Sequence, residues 1–247
     1  VLACAKCGAL ARCERCGAAV REHERLLHCD ACGTERPRLC ESCGHPKLKA
    51  LRVGVTRVRE ELEALLGEPV GEVAGPDDGP LPETRVLVGT EAVLHRARRA
   101  ELVAFLDFDM HLLAPRLSAA EESLVLLARA GRMVGSRGAS GSGLVVAQTR
   151  LPDHEVLVAA IAGDPAPLVE RELALRHQLS LPPYRALAEL SGPGAAEFFG
   201  TLGLSGSGIG DGRWLVGADD HRRLCDALAG TARPRDRVRV VVDPAGV

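Results

Sequence analysis

The chain has 247 residues, 46% of them apolar, enough for one large domain or two small ones with proper cores. Aromatic residues make up 2% and the formal charge is −2. This excludes a ring-rich core and binding of nucleic acid through bulk positive charge. No apolar run approaches the ~18 residues of a membrane span.

Position 1 is Val and the first cysteine arrives at position 4. So abrupt a start suggests the C-terminal part of something longer. The next forty residues hold four Cys-x-x-Cys pairs: Cys4/Cys7, Cys13/Cys16, Cys29/Cys32 and Cys40/Cys43. Each such turn sets two thiolates on one side of the backbone, half of a tetrahedral Zn²⁺ shell. Eight cysteines in ribbon spacing predict two closed Cys₄ sites holding two Zn²⁺ ions, structural because no position stays open for water. A disulfide framework and a redox dithiol are the competing readings. No signal peptide favours the first, and the eight ligands are already complete.

Twelve residues separate Cys16 from Cys29, room for a small hairpin. The favoured arrangement is nested: Cys13/Cys16/Cys29/Cys32 inside, Cys4/Cys7/Cys40/Cys43 outside. Sequential pairing, with five and seven residues between pairs, is tight but open. His23, His28 and His45 lie nearby and read as surface residues. Residues 1–50 carry nine Lys/Arg against six Asp/Glu, but eight thiolates around two dications leave four negative charges. A rigid surface for a protein partner, or a wedge at a duplex end, fits this better than phosphate binding.

From Leu51 the pattern changes to alternating strands and helices. Leu51–Val55 reads as a strand, Val58–Leu66 as a helix, Pro69–Ala74 as a second strand and Gly75–Pro82 as a turn-rich loop. Arg85–Gly89 and Glu101–Asp107 read as parallel strands buried on both faces. Ser118 caps a helix through Ala130, and a Gly/Ser loop, Gly138–Gly143, leads to the strand Leu144–Gln148. This βαβ succession predicts a parallel α/β sheet.

Two helices follow, 153–162 and 166–179, before Leu181-Pro182-Pro183-Tyr184 breaks the chain. The remainder predicts a compact α+β domain: strand Ala186–Leu190, helix 194–202, strand Trp214–Val216, helix 219–229 and strand Val238–Val242. The resulting division is 1–50, 51–180 and 181–247. Arg222, Arg223, Arg233, Arg235, Arg237 and Arg239 crowd the last third. Arg222, Arg223, Arg235, Arg237 and Arg239 are candidate DNA-phosphate contacts, although alternate arginines on a strand also make an ordinary solvated face. Cys225 reads as a packed thiol. Reduced, metal-binding cysteines point to the cytoplasm.

Several segments together carry a resemblance. The four cysteine pairs are followed by Gly54-x-Thr56-Arg57-x-Arg59-Glu60-Glu61-Leu62 and Leu87-Val88-Gly89-Thr90-Glu91. Leu106-Asp107-Phe108-Asp109, Pro115, Ala119-Ala120-Glu121 and Leu126-Leu127 come next. Gly143-Leu144-Val145-Val146-Ala147-Gln148-Thr149 and Leu181-Pro182-Pro183-Tyr184 complete the series. In this order they resemble the PriA family of replication restart proteins. The resemblance implies a zinc region set within the second RecA-like lobe of a superfamily 2 helicase, then a small C-terminal DNA-binding domain. It also implies forked or single-stranded DNA, single-stranded DNA-binding protein and the primosome's helicase-loading proteins as partners, in a cytoplasmic, nucleoid-associated setting.

The departures bear on activity. Glu91, Ala92, His95 and Arg96 stand where the family has Gln, Met, Lys and Gly, and its His-Asp-Phe is missing. In the nucleotide-sensing helicase motif Arg129 stands for Gln, Arg132 for the first Gly, Met133 for the first Arg and Ser136 for the second. Arginines there would stabilise charge developing on the γ-phosphate of ATP. Their loss predicts a degenerate, helicase-inactive branch like that of high-GC bacteria. The alternatives are a working ATP-dependent 3′–5′ DNA helicase with a finger from Arg129 or Arg137, and a zinc-ribbon adaptor that binds only proteins. A phosphate-binding Gly-Lys-Ser/Thr loop would lie upstream of Val1 in the family.

Overall fold

The computed structural model describes residues 1–30, 32–50, 54–73, 75, 79–114, 116–135 and 143–244. They form two compact units, Val1–Ala162 and Gly163–Val247. Among them, no helix is long and apolar enough to cross a membrane.

The first unit opens with the cysteine-rich module. Strands β1 (Leu2–Cys4) and β5 (Leu48–Ala50) pair antiparallel and tie its two ends together. Between them β2 (Arg21–His23), β3 (Leu26–His28) and β4 (Glu35–Pro37) form a three-stranded meander. The hairpin expected between Cys16 and Cys29 is β2–β3. Glu24 and Arg25 turn it with φ of 46° and 74°, the left-handed pair that a two-residue hairpin loop requires. The core is small: Ala11, Val20, Leu27 and Leu48 around the first cysteine of every pair.

The strand expected at Leu51–Val55 falls mostly outside the described residues, and Val55 opens a helix instead. Helix α1 (Val55–Leu66) ends on Gly67, whose left-handed φ of 68° lets its N–H cap the Glu63 carbonyl. Strand β6 (Val70–Val73) pairs in parallel with β7 (Val86–Gly89). The short α2 (Ala92–Arg96) leads to β8 (Leu102–Phe105), then α3 (Asp109–Leu112) and α4 (Ala119–Val134). The loop expected at Gly138–Gly143 lies outside the described residues up to Ser142. Strand β9 (Leu144–Ala147) pairs in parallel with β8, and α5 (Glu155–Ala162) closes the unit.

The expected parallel pairing is present, but among the described residues it forms two separate two-stranded sheets instead of one. The helices account for this. Helix α1 packs on β6 and β7, whereas α4 packs on β8 and β9. Short α2 joins α4 through Leu94, which lies with Leu126, Ala130 and Met133 in one core. Burial on both faces, expected from apolar runs, fails at β8–β9. Val103, Phe105 and Val145 face that core, while Leu102, Leu144 and Val146 stay 55%, 54% and 43% exposed. Alternation along a strand sends these residues to the opposite side. Ser118 flanks α4 but does not cap its backbone; its hydroxyl donates to Glu122 at 2.6 Å.

The segments Leu106–Asp109 and Gln148–Thr149 meet beyond the carboxyl ends of β8 and β9. Asp109 is fully buried and accepts from the Thr149 hydroxyl at 2.5 Å and from the Arg150 N–H at 3.1 Å on both oxygens. The Arg150 guanidinium reaches Asp107 at 3.0 Å and Asp109 at 3.4 Å. The buried charge is thereby paired and hydrogen-bonded, the condition for its presence there.

The second unit begins with α6 (Ala166–Gln178), ahead of the boundary expected at 180/181. Strand β10 (Ala186–Ser191), α7 (Ala195–Thr201), β11 (Ser205–Gly208), β12 (Trp214–Ala218), α8 (His221–Gly230) and β13 (Arg239–Val242) follow. The order β11-β12-β10-β13, antiparallel throughout, is the split βαβ arrangement of ferredoxin-like folds. The SGSG strand β11 escapes sequence reading because it carries no β-branched or apolar side chain.

Ala186, Ala188 and Leu190 face Phe198, Leu224 and Leu228 from the two helices. Trp214, the single tryptophan, stacks on Phe199 with ring centroids 4.4 Å apart. Phe198→Ala is expected to cost about 3–5 kcal/mol, the loss typical of a fully buried ring. Urea unfolding followed by Trp214 fluorescence measures it.

Candidate metal centres and the C-terminal arginines

All four Cys-x-x-Cys turns are built alike. The first cysteine's N–H donates five residues ahead, to the carbonyls of Ala9, Ala18, Thr34 and His45 at 2.8–3.0 Å. Its carbonyl accepts from the glycine after the pair: Gly8, Gly17, Gly33 and Gly44 at 2.8–3.0 Å. Those glycines have φ of 76°, 73°, 71° and 68°, conformations that a side chain would strain. The first cysteine of each turn is thereby buried, while Cys7, Cys16 and Cys43 are exposed.

The turns close in the nested order. Cys4, Cys7, Cys40 and Cys43 form one group and Cys13, Cys16, Cys29 and Cys32 the other, each within 4.8 Å. Sequential pairing is excluded by this geometry. Sulfurs stand 3.6 Å apart at Cys4/Cys43 and Cys7/Cys40, and 3.5 Å apart at Cys13/Cys32 and Cys16/Cys29. A tetrahedral ion with Zn–S bonds of ~2.3 Å sets neighbouring sulfurs ~3.8 Å apart. The donor set and its spacing therefore fit a closed tetrahedral metal, and all four positions of each shell are protein sulfur.

Protonation within these groups is uneven. Cys4 is drawn from 9.0 down to about 6, foremost by the Cys7 backbone N–H and against the opposing effect of burial; the Lys6 N–H and the Cys43 and Cys7 thiols help. Cys32 is also lowered to about 6, chiefly by the Thr34 hydroxyl, 3.1 Å from its sulfur. At Cys43 the His45 N–H pulls downward, but burial and the Cys7, Cys4 and Cys40 sulfurs prevail and push it up to about 12. Four sulfurs this close cannot all ionise alone, and a dication resolves the conflict. None of the histidines joins a described metal group. His28 lies between Asp30 at 3.6 Å and Glu35 at 3.3 Å. Thr34 is the one contributor that spacing did not flag; its position two residues beyond Cys32 is the only signal.

The arginine candidates fall into two places. Arg222 and Arg223 open α8, where Arg223 pairs with Asp219 at 2.7 Å and Arg222 only distantly with Asp226 at 3.9 Å. The same end of α8 touches the end of β13, through His221 and Asp243 at 2.7 Å. Arg235 and Arg237 precede β13 and Arg239 begins it, so they sit at the opposite end of that strand. Arg233, Arg235 and Arg237 line an open depression with Asp236. The Arg233 guanidinium lies over the Phe198 ring at 4.8 Å. Cys225 is exposed, not packed; it faces outward from a helix whose buried stripe is Leu224 and Leu228.

The positions compared by resemblance with the family's nucleotide-sensing motif fall on α4 and beyond it. Met133 is buried beside Leu94, Leu126 and Ala130, and Arg129 reaches His95 at 3.3 Å. Ser136 and Arg137 lie outside the described residues.

Replacing Cys13 by Ser is expected to remove one metal equivalent per chain and spare the other, as counted by metal analysis. Loss of both would mean that the two shells depend on each other. Because Cys4 and Cys32 have folded-state values of about 6, below the ordinary 9.0, their thiolates stabilise the fold at high pH. That contribution is lost as pH falls through about 6. Protons compete with a bound ion for these thiolates, so metal release, followed with a chromogenic chelator, is expected to rise as pH falls.

No family profile matches the chain. It is 29% identical over 205 residues to the replication restart protein PriA of Haemophilus influenzae, covering 74% of this chain and 28% of that protein. It is 34% identical over 201 residues to the probable PriA of Mycobacterium leprae, covering 77% and 30%. To the Mycobacterium tuberculosis protein of the same description it is 35% identical over 204 residues, covering 78% and 30%. The chain thus spans under a third of the length of these relatives. Agreement over three quarters of its own length, with the four cysteine turns in place, shows that it belongs to the PriA family of replication restart proteins.

Proposed function

We propose that this chain is the DNA-engaging, partner-recruiting part of a replication restart protein that works without ATP-driven unwinding. It recognises forked or single-stranded DNA and brings in the machinery that reloads the replicative helicase. Residues 1–50 hold two structural Zn²⁺ ions and present a rigid face to protein partners such as single-stranded DNA-binding protein and the helicase loader. Residues 51–180 act as a helicase-like frame, and residues 181–247 hold DNA through Arg235, Arg237 and Arg239, with Arg222 and Arg223 on a second face. The setting is cytoplasmic and nucleoid-associated.

One observation carries the reading: two nested Cys₄ groups within a chain related to PriA proteins over three quarters of its length. The absence of unwinding is supported by Met133. An arginine at this motif would project toward nucleotide, whereas Met133 fills the core beside Leu94. A buried methionine supplies no charge to a γ-phosphate. ATP use by an upstream lobe, and an intact 3′–5′ helicase, form the second reading.

The test is ATP hydrolysis by the full-length protein with and without forked DNA, alongside fork binding. Salt-sensitive fork binding with no DNA-stimulated turnover is the expected outcome. Robust stimulated turnover would replace the scaffold reading with the helicase. Absence of fork binding would leave a zinc adaptor that engages proteins only.

A further inference from the structure

A cationic patch lies on the first unit, distinct in sequence from both the cysteine groups and the C-terminal arginines. Helix α2 and the segment after it carry His95, Arg98 and Arg99; the last two turns of α4 carry Arg129 and Arg132. Two contacts fix them side by side. The Arg129 guanidinium donates to His95 at 3.3 Å, and the Ala100 N–H, next to Arg99, donates to the Met133 carbonyl, next to Arg132, at 3.2 Å. Leu94, Ala130 and Met133 pack beneath. Arg98, Arg99 and Arg132 are exposed.

Among the described residues none of these four arginines pairs with a carboxylate. Glu91 faces His111 and Glu122 faces Arg116; Glu101, two residues from Arg99, makes no ion pair with these arginines among the described residues and acts weakly on Arg85, whose partner is Glu68. Glu122 is ten residues from Arg132 along α4, roughly 15 Å at 1.5 Å per residue, beyond the ~8 Å screening length of physiological salt. A helix C-terminus attracts a cation in its last turn. That accounts for Arg132 and leaves three guanidiniums that share no ion pair among the described residues. Such a cluster raises the local concentration of anions, and planar guanidiniums suit phosphate.

We propose that Arg98, Arg99, Arg129 and Arg132 form a second contact for the phosphate backbone of DNA, on the first unit. This deepens the DNA-binding reading and rests on it. Arg129 and Arg132 are themselves departures from the family pattern, and Arg98 and Arg99 follow the departures at His95 and Arg96. A polyanionic strand fits arginines spread over two elements, because each guanidinium can take its own phosphate.

The experiment measures binding of a forked DNA against salt for the full-length protein, for Arg98→Gln/Arg99→Gln, for Arg132→Gln alone and for Arg235→Gln/Arg237→Gln. Metal content and thermal unfolding control for folding, and Arg132→Gln, in an exposed last turn, provides a milder variant. Each lost phosphate contact lowers the slope of log K against log salt by about 0.9. The 98/99 variant is therefore expected to lose about 2 from the slope, so that the weakening between 50 and 200 mM salt shrinks about tenfold. Arg132→Gln should lose about 1. An unchanged slope in both variants, with salt-sensitive binding by the parent, overturns the patch and leaves the DNA reading standing. No binding by the parent overturns both. If the 98/99 variant instead loses only binding to polyglutamate, the patch docks an acidic protein and the proposal fails.

Discussion

Thiolates 3.5–3.6 Å apart repel one another. Unit charges ~4 Å apart interact by about 4 kcal/mol at an effective dielectric of ~20. Four of them in one shell are stable only around a cation, and the rest of the N-terminal module depends on that closure. Its apolar core amounts to little more than Ala11, Val20, Leu27 and Leu48, and modules this small need a metal or another staple to hold a fold. The nested order adds a structural consequence. The outer group joins residues 4–7 to 40–43, and β1–β5 pairing repeats the closure at the backbone. The module therefore leaves the chain where it entered, as a rigid appendage.

The α/β part shows how the same apolar runs serve different ends. Helices α1 and α4 each claim one strand pair, and Met133 belongs to the core under α4. That placement gives the departure at position 133 a physical meaning: its side chain is part of what holds α2 to α4. Among the described residues the neighbouring Arg129 and Arg132 make no ion pair, and Arg132 is exposed. The bare side of β8–β9, with Leu102, Leu144 and Val146, is a feature that a parallel pair rarely tolerates in isolation.

In the C-terminal unit the helices cover one side of an antiparallel sheet, and charge collects in the loops and at strand ends. The arginines that read as one stripe along the chain are separated by the run of β13. Arg222 and Arg223 stay with Asp219 and Asp243 at one end, while Arg233, Arg235 and Arg237 line a depression at the other. Among the described residues only the second group is largely free of carboxylate partners, so the two groups face different electrostatic surroundings.

Much of this protein was legible from its residues. Regular spacing located the eight cysteines and favoured the nested order, because each turn is a local structure set by five or six residues and a left-handed glycine. Helices α1, α4, α7 and α8 and the apolar strands were readable for the same reason: their periodicity is written in adjacent side chains. Four things were decided only by tertiary structure. They are the strand β11, which has no apolar signal; the division of the parallel strands between two helices; the burial of Met133; and the separation or convergence of arginines. Each depends on which surfaces pack together across long stretches of chain. Distance along the sequence does not encode that, whereas the competition for apolar burial and for counter-charge does.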